Sequence, residues 1–427
     1  MRHERTRRLS LFCLALFLLP GVADAQTGGS SVPSRGAEED GDRAAPYADA
    51  DGAIPSGMVD NHDGTYSMPA ALVPSTRVEG PFTWSYRGQA KIARKPFYLP
   101  EVVVVPEDRR PLPLAQRLLG FVMVDSDGAE WELTSVDTHQ LDPQLVQEAE
   151  KRIAEWKPSG HASQDAGVWI RDSWTIYNLC DGDPSDDEVR LWDGGSRTKK
   201  TAPFTDRQES AVFLSNIGCS GMLLRSQWVL TAAHCVKDDN GNWTTTGTDV
   251  NAYDVYGNLV TSALVATTSA YSGDGDWGDD WALVKLASAF PSSPPDMMDL
   301  YGGADSAYKD IDDNVHNLAY PSWVGACIQN DNGPDLPGGA ELYHQDDAEV
   351  SSTTTKRVKY KSDNGPRASG SAYYFCPENA DDYCGSGEKG QVIGVHSGFW
   401  SNGLTNRHIG PKATDFRSLA ISIMDNN

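Results

Sequence analysis

The sequence predicts an all-β second half, barrel or sandwich, preceded by a smaller α+β region. Three observations carry this. From about residue 201, short β-like runs recur between Gly, Asn, Asp and Ser clusters: 211–217, 228–231, 281–286, 356–361 and 391–395. Near the end the period changes, with Phe416, Leu419, Ala420 and Ile423 at helical spacing, so the β region closes with a helix. Apolar residues make up 39% and charged residues 22% of 427 residues, a globular profile long enough for two or three domains.

Taken in order, the chain starts with a basic stretch (Arg2, Arg5, Arg7, Arg8) and an apolar run from Leu9 to Leu19. Pro20 and Gly21 break the run, and Ala23-Asp24-Ala25 fits a small-x-small cleavage site. Residues 1–25 therefore read as a signal peptide. The run has about half of the roughly 20 residues a membrane span needs, so no membrane association is expected after cleavage. The mature chain is expected to be secreted, extracellular or periplasmic. Residues 26–60, rich in Gly, Ser, Ala, Asp and Glu, read as a disordered linker.

Residues 61–200 read as a propeptide or an accessory region. Val102 to Val105, between Pro100 and Pro106, predicts a strand. Asp142-Pro143 predicts a capped helix start, with Leu145, Ala149, Ile153 and Trp156 on one face and Pro158 and Gly160 as stops. Asp181, Asp183, Asp186, Asp187 and Glu188 lack the glycine and terminal glutamate of a calcium loop, so a solvated acidic loop is expected and no metal. The net charge of -24 argues against nucleic-acid binding, which needs clustered Lys and Arg.

The residues that point to chemistry lie in 201–427. Peptide-bond cleavage by serine needs a hydroxyl, an imidazole to take its proton and a carboxylate to orient that imidazole. The chain offers Cys219-Ser220-Gly221 followed by Trp228-Val229-Leu230-Thr231-Ala232-Ala233-His234-Cys235. It then offers Asp279-Asp280-Trp281-Ala282-Leu283-Val284-Lys285-Leu286, and later Asp363-Asn364-Gly365-Pro366-Arg367-Ala368-Ser369-Gly370-Ser371.

These segments resemble the chymotrypsin/trypsin-like serine protease family. Its nucleophile and pocket segments are most similar to those of bacterial glutamyl endopeptidases. The resemblance implies two antiparallel six-stranded barrels. It implies His234 as general base, Asp280 as its orienting acid and Ser369 as nucleophile, with the backbone N–H groups of Arg367 and Ser369 as oxyanion hole. It implies protein or peptide substrates and no cofactor. The family's glycine is Arg367 here, and the trypsin branch's aspartate before the nucleophile is Ala368, which excludes a trypsinogen-type ion-pair switch. These two departures also favour the alternative, a weak or inactive homologue acting as a binding module. An esterase would use the same triad.

Two residues disagree about the substrate. Gly394-Val395-His396-Ser397-Gly398 resembles the family's pocket strand, which places His396 and Ser397 in the substrate pocket, and His396 matches a histidine of glutamyl endopeptidases, implying cleavage after glutamate. Asp363, six residues before Ser369, stands where trypsin relatives hold a pocket-floor aspartate, implying cleavage after Lys or Arg. Both readings stay open here. Six cysteines remain after the signal peptide, an even number that reads as disulfides in an exported chain. The resemblance pairs Cys219 with Cys235. A local bridge is the simplest pairing for Cys376 and Cys384, which leaves Cys180 with Cys327.

Overall fold

The computed structural model describes residues 54–427, apart from 55, 70–73, 95, 97–100, 105–109, 157–166, 171–187, 190–196, 270, 272–276, 292–297, 305–306, 309, 312–314, 322–335, 337–339, 363, 365–366, 378–383, 385–387 and 402–405. The expected signal peptide and residues 26–53 and 55 of the expected linker lie outside the described residues, and the linker's last residues, Val59–Asp60, form a strand paired with Thr65–Ser67.

Six strands close into a barrel. Ala211–Leu214 pairs with Cys219–Arg225, which pairs with Trp228–Thr231, then Ala282–Leu286, then Leu259–Thr268. Asn251–Tyr253 pairs with both Leu259–Thr268 and Ala211–Leu214 and completes the ring. Ala211–Leu214 and Trp228–Thr231 are buried at every position. The apolar runs read as strands because β-branched and aromatic residues suit a pleated surface packed on both faces.

The second half of the domain is another sheet. Its ladder runs through Gly390–Val395, Ala372–Phe375, Val315–Ala319, Tyr343–Thr353, Arg357–Lys361 and Asn406–Pro411. The two ends are joined by a bridge between Gly394 and Lys412 and by a 3.0 Å bond from Ser397 N–H to the Ile409 carbonyl. Gly410 makes that approach possible: a Cβ there would lie 1.6 Å from the Val395 carbonyl oxygen. The closing helix is Ala413–Asp425, with Phe416, Leu419, Ala420 and Ile423 buried. The fold is thus mostly β, one closed six-stranded barrel and a second sheet, with a smaller α+β region ahead of it.

That N-terminal region is woven into the domain. Phe121–Asp125 pairs with Leu259–Thr268, on the opposite edge from part of the barrel ladder. Ala129–Val136, Phe82–Gln89 and Thr76–Glu79 follow, extending the barrel into one ten-stranded sheet among the described residues. The expected helix spans Pro143–Glu155, and the Asp142 side chain accepts the Gln144 N–H at 2.8 Å, which satisfies a first-turn donor. The expected strand at 102–105 is Glu101–Val104.

A buried charge cluster fixes the closing helix to this region. Arg117 donates to the Asp415 carboxylate and carbonyl, both at 2.8 Å, and Arg152 donates to the same carboxylate at 3.2 Å. Burial pushes the Asp415 carboxyl up, but the charges of Arg117, Arg152, Lys356 and Lys412 outweigh it and hold the group below its ordinary 3.8. A carboxyl lowered on folding contributes stability above its unfolded value and loses it as pH falls through the folded value. Asp415→Ala is expected to cost about 3–5 kcal/mol, because it strands two guanidinium groups without their shared carboxylate. Urea unfolding at pH 7 checks this, and the difference from wild type should shrink in acid below 3.8.

Candidate active site

His234 follows the Trp228–Thr231 strand in a single 3-10 turn, Ala233–Cys235, and Cys235 is bridged to Cys219. Strand, turn and bridge leave the backbone at His234 little freedom. Asp280 immediately precedes Trp281 and the Ala282–Leu286 strand, the neighbour of Trp228–Thr231 in the barrel. The ladder therefore brings together two residues 46 positions apart. The Asp280 carboxylate accepts twice from His234, from the backbone N–H and at ring Nδ1, both at 2.8 Å. An ionised carboxylate only accepts, so Nδ1 carries the proton and Nε2 is the basic nitrogen. Asp280 is fully buried, which strengthens this orientation.

Trp281 anchors the aspartate from the other side. Its carbonyl accepts from Thr267 Oγ1 at 2.8 Å. Its ring stacks on Phe416 at 4.8 Å and meets Phe121 of the N-terminal region at 5.3 Å. Beside it, Lys356 pairs with Asp279 at 3.0 Å.

The Ser369 turn belongs to the second sheet but docks on the first barrel. Ser220 N–H donates to the Ser369 carbonyl and Ser220 Oγ donates to the Arg367 carbonyl, each at 2.8 Å. Ser220 adjoins Cys219, the bridge partner of the residue after His234. Gly370, at φ +85°, fits against Thr231 and Ala232: a Cβ there would lie 2.1 Å from Thr231 Oγ1 and 2.3 Å from the Ser220 carbonyl. The turn is thus pressed onto the segment leading into His234. From its own side it is held by Gly370 N–H to the His396 carbonyl and His396 N–H to the Ser371 carbonyl, both 2.8 Å. Asn317 donates to Ser371 Oγ at 3.0 Å.

Arg367 sits at φ +69°, the left-handed region the family's glycine suits. An L-residue there costs roughly 1–2 kcal/mol. Arg367→Gly removes that strain and loses part of the gain to a freer unfolded chain. The expected net change is a stabilisation on the order of 0.5–1 kcal/mol, read as a raised melting temperature. A fall in stability would mean that the arginine side chain contributes more than its backbone strain costs.

Behind Ser369 lies a cluster of rings. His396 is fully buried, 5.0 Å from the ring of His408 and 6.3 Å, edge-on, from Tyr373. Phe399 meets His408 at 5.8 Å. The Tyr373 hydroxyl bonds to Ser362 Oγ at 2.6 Å and to Asn364 Nδ2 at 2.5 Å, and its ring stacks on Tyr360 at 3.6 Å. Burial pushes the Tyr360 phenol well above its ordinary range, so it stays protonated. Ser397 is buried beside His396. Asp363 lies outside the described residues.

His408 and Tyr373 were not singled out from sequence. His408 faces His396 only because Asn406–Pro411 pairs with Gly398–Ser401, with Phe399 opposite His408. A hairpin reading of 398–411 was the signal available. Cys376 and Cys384 form the expected local bridge, while Cys180 and Cys327 lie outside the described residues. Cys219, His234 and Cys235 converge in space, but both sulfurs are in the bridge and offer no thiolate to a metal.

Residues 199–322 match the family model for Trypsin. Among solved structures, one titled "Structure of Glu endopeptidase in complex with MPD" is similar, at 20% identity and a TM-score of 0.40, over 56% of this chain and 98% of that chain. The stretch similar to the trypsin family thus holds His234 and Asp280, and Ser369 lies beyond it.

Proposed function

We propose that this chain is an exported serine endopeptidase that cuts peptide bonds through an acyl-enzyme, with His234, Asp280 and Ser369 as its triad. The observation that carries it is the doubly held His234–Asp280 pair, with the Ser369 turn packed against the segment leading into the histidine. In this reading Ser369 attacks the scissile carbonyl and His234 Nε2 takes the hydroxyl proton. His234 then gives that proton to the leaving amine, while Asp280 stabilises the imidazolium. The N–H groups of Ser369 and Arg367 hold the oxyanion. The positive φ of Arg367 supports a formed loop and favours the enzyme over the binding-module alternative. Export rests on the signal-like residues 1–25 and fits two disulfides among the described residues. None of the described helices is long and apolar enough to cross a membrane.

The substrate side chain is read as an acidic one. Two buried imidazoles, His396 and His408, adjoin each other, His396 is bonded through its backbone to the Ser369 turn, and a carboxylate entering there would accept from ring N–H donors. Mass spectrometry of peptides released from a denatured protein mixture tests both parts. Cuts after Glu and Asp are expected. Cuts after Lys and Arg would transfer the pocket to Asp363, and no cuts from folded, processed protein would favour the binding-module reading.

A further inference from the structure

The Gly398–Ser401 strand has two edges, and both are occupied. One pairs with Asn406–Pro411 of the same domain. The other pairs with Gly167–Ile170 from the N-terminal region, with Phe399 opposite Ile170, Trp400 opposite Trp169 and Ser401 opposite Val168. Glu101–Val104 lies outside Gly167–Ile170 and pairs with it in turn, so the cover is two strands deep.

The position of this edge is what matters. Gly398–Ser401 starts directly after His396 and Ser397, and His396 is bonded in both directions to the Ser369 turn. Its outer edge is therefore the row of backbone donors and acceptors that leads to the candidate nucleophile. An open edge beside a reactive group is where an extended peptide adds as a further strand, drawing affinity from main-chain bonds. The antiparallel register also sets a direction. From Val168 to Ile170 the N-terminal strand runs from Ser401 toward Phe399, toward the Ser369 turn. A substrate adding in that direction would present the peptide bonds after its paired residues to Ser369.

We propose that Gly167–Ile170 occupies the substrate edge from within the same chain, so that the protease is self-blocked until this strand leaves Gly398–Ser401. The inference rests on the protease reading. A tethered strand competes at an effective concentration of about millimolar, at or above the typical KM range of roughly 1 μM to 1 mM. A free peptide of similar affinity is therefore held off. A small electrophile that needs only Ser369 does not use the edge and does not compete.

Two variants of the full chain test this. Val168→Pro, Trp169→Pro and Ile170→Pro together remove the strand's N–H donors on both edges. Ile170→Cys with Phe399→Cys locks it instead, because antiparallel partners about 4.5–5.5 Å apart are within disulfide reach. The proline variant should hydrolyse a peptide with kcat/KM at least about tenfold above the unprocessed wild type. The oxidised lock should hydrolyse none, and should recover when a mild reductant opens it while the buried Cys219–Cys235 bridge persists. A fluorophosphonate should label Ser369 in every form. Labelling with peptide hydrolysis unchanged in the proline variant, or with a locked chain as active as its reduced form, overturns the inference. Labelling absent from every folded form overturns the protease reading itself, and the inference with it.

Discussion

Ser369→Ala is expected to lower kcat for peptide hydrolysis by on the order of 10⁶-fold, the largest single effect at this site. The size follows from what is removed. Without the hydroxyl no acyl-enzyme forms, and His234 has no proton to accept from a nucleophile other than water. The remaining rate would come from oxyanion stabilisation and substrate binding alone. The substitution leaves the architecture of the turn intact. Ser369 is held through its carbonyl by Ser220 N–H, and its neighbours through Gly370 N–H and Ser371 N–H, and none of these bonds uses the side-chain hydroxyl. The melting temperature should therefore stay close to wild type while fluorophosphonate labelling disappears. Steady-state hydrolysis and labelling on chain with a displaced N-terminal strand separate this from self-blocking. A variant keeping even a hundredth of wild-type kcat would remove Ser369 from the nucleophile role.

Asp280→Asn is expected to lower kcat by about 10⁴-fold with little change in KM. Both oxygens of this carboxylate are committed, one to the His234 backbone N–H and one to Nδ1. An amide has one oxygen and one NH₂ group. If the oxygen stays with the backbone N–H, the NH₂ faces Nδ1 and forces the ring into the tautomer whose Nε2 carries the proton. That ring cannot take a proton from Ser369. If the amide turns over, the backbone N–H meets a donor inside a fully buried site, and the loss moves into stability. Measuring kcat, KM and urea unfolding on one preparation distinguishes the two, and kcat near wild type would exclude the assigned role.

The candidate site was legible in the sequence where local context carries it. His234 and its cysteine stand in one short run, Asp280 begins a run of strand-forming residues, and Ser369 sits in a Ser-Gly turn. Each piece is recognisable without knowing what it touches. Whatever depends on pairing between distant segments was not legible. His408 becomes a neighbour of His396 only through the register of Gly398–Ser401 on Asn406–Pro411. Where His396 stands relative to the Ser369 turn is set by sheet closure, which turns on Gly410 admitting the Val395 carbonyl. The fold behaved likewise. The recurrent runs after residue 201 announce a β domain, but nothing in Phe121–Asp125 says that its partner is Leu259–Thr268. An apolar alternation states that one face is buried, and leaves open against what.

Arg117 and its partner Asp415 are 298 positions apart. At translation speeds of about 5–20 residues per second, the carboxylate is made about 15–60 s after the guanidinium it neutralises. The tie between the two ends of the domain is thus completed by a helix made after His234, Asp280 and Ser369, the whole of the candidate triad.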